Sequence, residues 1–177
     1  MTVWMSSDQH FSHENIIKYC DRPYNNIDEM NTDIIEKYCE IVKEDDIVFF
    51  LGDITIKRNT SFKPILSEVI KNMPGQKHLI LGNHDLYFNK SDFTKSEFYL
   101  EDCGFLSVNR KISTSEYILT HNPADFTSEE IESGKILIHG HVHLHNNERI
   151  RGQMIDCGVD GNNFYPISID EINQLMK

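Results

Sequence analysis

The chain has 177 residues, a length that suits one domain with a full hydrophobic core, so we predict a single domain over residues 1–177. Its 28 acidic and 17 basic side chains give a net charge of −11, which disfavours extended contact with nucleic acid without excluding it. The sequence has no run long enough to span a bilayer and no signal-like N-terminal segment, which predicts no membrane association. The four cysteines are widely spaced, which favours reduced thiols and a cytoplasmic location.

Five short apolar runs predict buried strands, and each leads into a residue that can bind a metal ion. In chain order the runs are 3–5, 47–51, 79–81, 117–119 and 136–138. The residues that follow them are Asp8 and His10, then Asp53, then Asn83, then His121, and finally His141 and His143. Two later runs, 154–157 and 166–169, predict further strands.

Helices are predicted between these strands. Their starts are Asp28, Ser61, Thr127 and Asp170, the first of these helices carrying Lys43 in its last turn. Residues 94–102 predict another helix inside the segment 89–110, which is either an insertion that shapes the substrate site or a packing element. The alternation of strands and helices indicates an α/β layered fold.

The spacing of the candidate ligands suggests how they meet. Asp8 and His10 are two residues apart at a strand end, so in extended backbone both side chains point to the same face. His141 and His143 repeat this spacing after Gly140, whose missing β-carbon lets the backbone pass close to a crowded site. One metal ion can therefore bind both Asp8 and His10, and His141 and His143 share the same geometry.

The remaining candidates complete a two-metal site. Asp53 offers a carboxylate that can bridge two cations, Asn83 a carbonyl oxygen and His121 an imidazole. Two divalent ions about 3.5–4 Å apart can produce a hydroxide that attacks phosphorus. Mixed imidazole, carboxylate and amide ligation suits Mn²⁺, which we favour, and also Fe, Zn or Ni.

Two further residues are predicted to act in catalysis. His84 directly follows Asn83, so it can lie over the metals and assist the leaving group or hold a phosphate oxygen. Asp85 is expected to fix the tautomer of His84.

Three residues are candidate substrate contacts, each with a plainer alternative. His13 lies near the start of a helix capped by Ser12 and either contacts a phosphate or is an ordinary first-turn residue. Arg22 and Arg58 either bind phosphate oxygens or pair with surface carboxylates.

Two other polar features are interpreted as structural. His139 precedes Gly140 within its predicted strand, and we interpret it as a buried, hydrogen-bonded residue. The acidic residues 44–46 are predicted to form a solvated turn.

These motifs, in this order, resemble the calcineurin-like metallophosphoesterase superfamily. The resemblance extends from Asp8 to His143, and the opening residues 8–17 and the later Tyr165-Pro166-Ile167-Ser168 are similar to small bacterial and phage members. It implies a four-layer α/β/β/α sandwich with two facing sheets. It also implies one metal bound by Asp8, His10, Asp53 and His143, and a second bound by Asp53, Asn83, His121 and His141. Thr120 stands where the family more often has glycine before the histidine.

The sequence therefore predicts a metal-dependent phosphoric ester hydrolase that acts on a small phosphodiester or phosphomonoester, with a nucleotide-type substrate favoured. The alternatives are a nuclease acting on DNA or RNA, and a catalytically silent metal-binding scaffold. The sequence leaves the oligomeric state open.

Overall fold

Two five-stranded sheets form the centre of the molecule. The structure is a computed structural model and describes residues 1–56, 63–85 and 97–177. The strands are β1 (Val3–Ser6), β2 (Ile47–Phe50), β3 (Gln76–Ile80), β4 (Ser107–Asn109), β5 (Lys111–Ser113), β6 (Tyr117–Thr120), β7 (Ile136–His139), β8 (Ile150–Arg151), β9 (Met154–Asp156) and β10 (Ile167–Ser168). The helices are α1 (Glu14–Tyr19), α2 (Ile27–Ile41), α3 (Lys63–Asn72), α4 (Ser128–Glu132) and α5 (Ile169–Leu175).

Parallel pairing dominates the middle of both sheets. The first sheet has the order β10-β1-β2-β3-β4, in which β1 to β4 are parallel and β10 is antiparallel. The second has the order β5-β6-β7-β9-β8, with β6, β7 and β9 parallel and the two outer strands antiparallel. Because the carboxyl ends of parallel strands meet at one edge, the loops after them lie side by side.

The sheets pack face to face, and helices α2 and α3 cover the outer face of the first sheet. Between the sheets lies a buried cluster. It joins Met5, Leu51 and Ile80, in or next to strands of the first sheet, to Leu119 and Ile138 of the second. On the other face of the first sheet, Val48, Phe50 and Leu79 pack with Ile34 and Tyr38 of α2 and with Leu66 of α3. Phe126 packs with Ile118 and Leu137 on the outside of the second sheet, near α4. The α/β/β/α fold implied by the resemblance is confirmed.

The predicted elements are largely present, with shifted ends. Helix α2 begins one residue before Asp28, with the side chain of Asn26 as its cap, and ends before Lys43. Thr127 and Glu130 form the predicted capping box of α4, and Ser168 and Glu171 form a second one at α5. Ser61 lies outside the described residues.

The segment 89–110 contributes packing where it is described. A short π-helix spans Phe98–Asp102 and buries Phe98 and Tyr99 in the cluster beneath α3. It ends before β4, which the sequence did not predict, at the edge of the first sheet. The predicted residues 94–96 lie outside the described part.

Within the described ranges, no helix is both long and apolar enough to cross a bilayer. The thiols of Cys103 and Cys157 are buried and free, that of Cys20 is half-buried and that of Cys39 is exposed.

The acidic turn at 44–46 is not uniformly solvated. Asp46 is buried, and its carboxylate accepts hydrogen bonds from the backbone N–H groups of Thr2 (2.6 Å) and Lys43 (3.0 Å) and from Trp4 Nε1 (3.1 Å). These bonds, led by the one from Thr2, hold the pKa of Asp46 below its usual value. The prediction of a solvated turn is wrong for this residue, which fastens β1 to the start of β2.

We expect Asp46→Ala to lower the free energy of unfolding by about 2 kcal/mol, because three donors lose their acceptor. The loss should be full at neutral pH. It should shrink below about pH 4, because a carboxylate with a depressed pKa stabilises the fold only while it is ionised. Urea unfolding at both pH values measures this, with the exposed neighbour as control: Asp45→Ala should change little. Equal losses in both variants would contradict the role of Asp46.

Candidate metal centre

The predicted ligands lie together in the loops that follow β1, β2, β3, β6 and β7. Their donor atoms form two groups, and within each group of three the atoms lie within 4.8 Å of one another. The first group is Asp8, His10 and His143; the second is Asp53, His121 and His141. The structure thus brings six of the seven predicted ligands together, with His141 and His143 in different groups.

The prediction that these side chains project from extended backbone is wrong. Strand β1 ends at Ser6, so Asp8 and His10 are not in extended backbone. Instead, five of the predicted ligands have a positive φ angle: Asp8 (61°), His10 (53°), Asp53 (54°), His141 (74°) and His143 (54°). Left-handed backbone at non-glycine residues costs free energy and persists where the surroundings hold it, commonly at functional sites.

Asp53 lies between the two groups. Its Oδ2 is 3.8 Å from His10 Nε2 in the first group and 3.3 Å from His121 Nε2 in the second. Asn83 joins the second group, with its Oδ1 3.0 Å from His121 Nε2. In the first group, Asp8 Oδ1 is 3.9 Å from the Nε2 atoms of both His10 and His143. Asp53 is thus placed to contact ions in both groups.

Unpaired polar atoms indicate that the first group is built for a cation. Among the described residues, the buried side-chain atoms without a hydrogen-bond partner include Asp8 Oδ1 and His10 Nε2. Leaving such atoms unpaired in the interior is costly, and a divalent ion would satisfy both of them at once. The nitrogen and oxygen donors therefore fit a metal ion.

The electrostatics of the two groups support the same conclusion. Burial raises the pKa of Asp8 to about 6, although His121 and His143 oppose the rise. Burial lowers the pKa of His121, but its hydrogen bond to Asp53 and the nearby carboxylates outweigh this and raise it to about 9. Buried carboxylates here recruit positive charge, which a divalent ion supplies more fully than a proton.

Other contacts orient the ligands. His121 Nδ1 donates to the carbonyl oxygen of Leu51 (2.7 Å), which directs its Nε2 towards Asp53. The backbone N–H of His141 donates to Asp8 Oδ2 (2.8 Å), which leaves Oδ1 for an ion. A β-carbon on Gly140 would lie 2.4 Å from that same Oδ2, so the close approach predicted for this glycine is present.

A family model described as the calcineurin-like phosphoesterase superfamily domain matches residues 1–157. The chain belongs to this superfamily. Membership, together with the two donor groups, indicates metal-dependent phosphoester hydrolysis and a hydrolase. The predicted resemblance is confirmed.

Similar proteins occur in an archaeon, in a mycobacterial phage and in a bacterium. An uncharacterized protein of Methanocaldococcus jannaschii is 31% identical over 99% of this chain and 91% of its own length. The gene 66 protein of Mycobacterium phage L5 is 29% identical over 99% of this chain and 94% of its own. A crystal structure of an Aquifex aeolicus protein of unknown function has a TM-score of 0.68 and 26% identity, and the match covers 98% of each chain.

His84 lies at the open side of the two donor groups. Its Nε2 is 3.8 Å from Asp53 Oδ2 and its side chain is 32% exposed. Its backbone N–H donates to Asp53 Oδ1 (2.9 Å), so the main chain fixes the position of the residue while the ring stays available. Nδ1 of His84 has no partner in the described part of the chain.

The predicted contact between Asp85 and His84 is absent. Asp85 is fully buried, and it accepts hydrogen bonds from the backbone N–H groups of Asp53 (2.7 Å), Ile54 (3.2 Å) and Gly82 (2.9 Å). The prediction of a tautomer-fixing role is wrong, because these bonds and one from the Tyr99 hydroxyl (3.2 Å) already occupy the carboxylate. Asp85 instead ties the loop after β3 to the loop after β2.

Arg22 is neither of the two things that the sequence predicted, a phosphate contact or a surface ion pair. Its side chain is fully buried and forms an ion pair with Asp160, with Nε 2.7 Å from Oδ1. Its other nitrogens donate to the carbonyl oxygens of Asp8 (2.7 Å) and Gln9 (3.0 Å). The guanidinium therefore faces the interior behind the ligands, where a phosphate of the substrate cannot reach it.

The other predicted contacts have different outcomes. His13 reaches the site, with its ring centroid 5.3 Å from that of His10. Ser12 does not cap α1; it has a positive φ, and His13 occupies the cap position without a side-chain hydrogen bond. Arg58 lies outside the described residues. His139 is buried and donates through Nδ1 to the carbonyl oxygen of Gly140 (2.9 Å), in accord with its predicted structural role.

Asp160 is a site residue that the sequence interpretation missed. Its Oδ2 accepts a hydrogen bond from His143 Nδ1 (2.8 Å), which directs His143 Nε2 towards Asp8. One signal was available: the apolar run of β9 also ends on a carboxylate, Asp156, and Asp160 follows four residues later. The end of β9 is thus a sixth strand end that leads into a possible metal-binding or ligand-orienting residue, like the first five.

Proposed function

We propose that the protein hydrolyses a small phosphodiester or phosphomonoester, with a nucleotide-type ester favoured, using two divalent ions of which Mn²⁺ is the first choice and Fe, Zn or Ni the alternatives. The observation that carries the proposal is the position of Asp53, shared by two donor groups with His84 beside it. Two such ions, when bound, activate water and stabilise negative charge on the phosphoryl group.

The chain supplies three things to this reaction. Asp8, His10, Asp53 and His143 would hold one ion, and Asp53, Asn83, His121 and His141 the other. The loops that carry these ligands are fixed by buried hydrogen bonds, so little reorganisation is needed when an ester binds. His84 Nε2, exposed beside Asp53, donates a proton to the leaving oxygen or a hydrogen bond to a phosphate oxygen.

An open cavity of about 700 Å³ lies beside the first donor group. Its walls combine apolar side chains such as Ile16 and Val142 with His13, His84 and the ring of Tyr19. Its described lining includes no lysine or arginine, which a protein that tracks a nucleic-acid backbone needs. The cavity therefore favours a small ester over DNA or RNA.

Turnover by the metal-loaded protein tests the proposal. Protein stripped of metal and reloaded with Mn²⁺ should hydrolyse bis(p-nitrophenyl) phosphate or p-nitrophenyl phosphate, and the stripped protein should not. Absence of turnover with Mn²⁺, Fe²⁺, Zn²⁺ and Ni²⁺, when two ions are bound, would favour the silent scaffold. Cleavage confined to DNA or RNA in a gel assay would favour the nuclease.

Tyr19 is the candidate for contact with a nucleobase. Its side chain is 73% exposed, and its ring packs edge-on against His13 with centroids 6.1 Å apart. Stacking of a base on an aromatic ring contributes about 1–3 kcal/mol. We expect Tyr19→Ala to lower kcat/KM for the p-nitrophenyl ester of thymidine 5′-monophosphate about tenfold, mainly through KM.

The matched substrate is methyl p-nitrophenyl phosphate, which has the same leaving group and no base. Tyr19→Ala should leave its hydrolysis unchanged, and Tyr19→Phe should retain the hydrolysis of both esters. A parallel loss with both esters would show that Tyr19 does not contact the base.

A further inference from the structure

A buried ion pair lies directly behind one metal ligand. The side chains of Arg22 and Asp160 are both fully buried, and they make two hydrogen bonds, Nε to Oδ1 (2.7 Å) and Nη2 to Oδ2 (2.8 Å). Asp160 Oδ2 also accepts the hydrogen bond from His143 Nδ1 (2.8 Å). One carboxylate therefore joins a guanidinium to the imidazole that faces the metal site.

The ion pair and its hydrogen bonds also connect four separate parts of the chain. Arg22 follows α1 and donates to the backbone of Asp8 and Gln9 in the loop after β1. His143 belongs to the loop after β7, and Asp160 lies in a 3₁₀ turn, Val159–Asn162, after β9. The arrangement thus positions two loops that carry ligands.

The backbone is strained on the side of Arg22 that faces away from Asp8. The guanidinium carbon lies 5.7 Å from the ring centroid of Phe164, which is buried. Phe164 and its neighbour Asn163 both have positive φ angles, 67° and 50°. Such a conformation is a true outlier for a bulky residue, and it persists only where the surroundings enforce it.

His121 and His143 differ in the group that accepts the hydrogen bond from Nδ1. His121 donates to a neutral carbonyl, that of Leu51, whereas His143 donates to a carboxylate. A carboxylate behind an imidazole fixes the ring and makes it a stronger ligand, and its loss typically costs 10- to 100-fold in metal affinity.

We propose that Asp160 and Arg22 are positioning residues that hold His143 with Nε2 towards Asp8 and thereby set the metal affinity of the group Asp8, His10 and His143. Asp160 acts directly on the imidazole, and Arg22 fixes Asp160 against the loop that carries Asp8. The inference rests on the metal centre of the proposed function and concerns ion binding alone.

Calorimetric titration of the metal-free full chain with Mn²⁺ tests this inference. Asp160→Asn removes the charge but keeps the size. It should lower the affinity for one of the two bound ions by about 10- to 100-fold and leave the affinity for the other nearly unchanged. Asp170→Asn, the same change at an exposed position, should leave both ions unchanged.

Two backgrounds identify the affected ion. In His141→Ala protein, whose second group has lost a ligand, Asp160→Asn should still weaken Mn²⁺ binding. In His143→Ala protein, Asp160→Asn should have no further effect, because its target imidazole is gone. A general loss of structure would instead weaken binding in both backgrounds, and that result would overturn the proposal.

If Asp160→Asn does not fold, Arg22→Lys takes its place. Lysine keeps the charge but cannot donate to Asp160, Asp8 and Gln9 together, so it should weaken the same single ion. If the folded variant binds Mn²⁺ with unchanged affinity at both sites, the positioning role is overturned, but the proposed hydrolysis is not. Selective loss of one ion in a protein that hydrolyses no ester supports the positioning role and overturns the proposed function.

Discussion

Replacing His84 by alanine is expected to lower kcat for an alkyl phosphoester by about 10²- to 10⁴-fold while two metal ions stay bound. The side chain makes no metal contact in the proposed site. The backbone N–H of residue 84, which remains in the variant, keeps its bond to Asp53. Steady-state kinetics with metal analysis of the same samples measures both quantities.

The leaving group distinguishes the roles that His84 can have. If it protonates the leaving oxygen, the loss should be large for an alkyl ester and small for p-nitrophenolate, which leaves without a proton. His145→Ala is the matched control, because His145 lines the same cavity and its removal should leave kcat unchanged. An equal loss for all esters, or loss of bound metal, would contradict proton transfer by His84.

Replacing Arg22 by alanine is expected to lower the free energy of unfolding by about 3–5 kcal/mol. The substitution leaves the buried carboxylate of Asp160 without its main partner and the carbonyl oxygens of Asp8 and Gln9 without donors. For a chain of this size the change corresponds to a fall in Tm of about 6–20 °C. Thermal unfolding of the metal-free protein measures it.

The result separates the structural role of Arg22 from the phosphate contact expected from the sequence. A phosphate contact predicts a raised KM with unchanged stability, whereas the buried ion pair predicts lost stability before any substrate is added. Arg151→Ala, the same truncation at an exposed position, should change Tm little. Equal Tm values for Arg22→Ala and the wild type would contradict the ion pair.

The proximity of the candidate ligands could be predicted from sequence because strand order determines where strand ends lie. Buried strands are recognised from short apolar runs, and parallel strands place their following loops at one edge. Asp53, Asn83 and His121 could therefore be brought together without knowledge of any loop conformation. The same reasoning located His84 from its position directly after Asn83.

The local geometry could not be predicted in this way. The positive φ angles of Asp8 and His10 depend on backbone bonds to the loop after β2, such as that from His10 N–H to the carbonyl oxygen of Asp53 (3.1 Å). The partners of Asp85 and Arg22 come from distant parts of the chain, up to 138 positions away for Arg22 and Asp160. A charged residue next to a motif can face the ligand site or the interior, and only tertiary packing decides which.

Asp53 would bind both metal ions of the proposed site, because its carboxylate lies near both donor groups. Electron paramagnetic resonance of the metal-free protein loaded with two equivalents of Mn²⁺ tests this arrangement. We expect the spectrum of an exchange-coupled pair, and we expect Asp53→Ala to remove the coupling. A spectrum of isolated Mn²⁺ in the wild-type protein, or saturation at a single ion per chain, would contradict the shared position of Asp53.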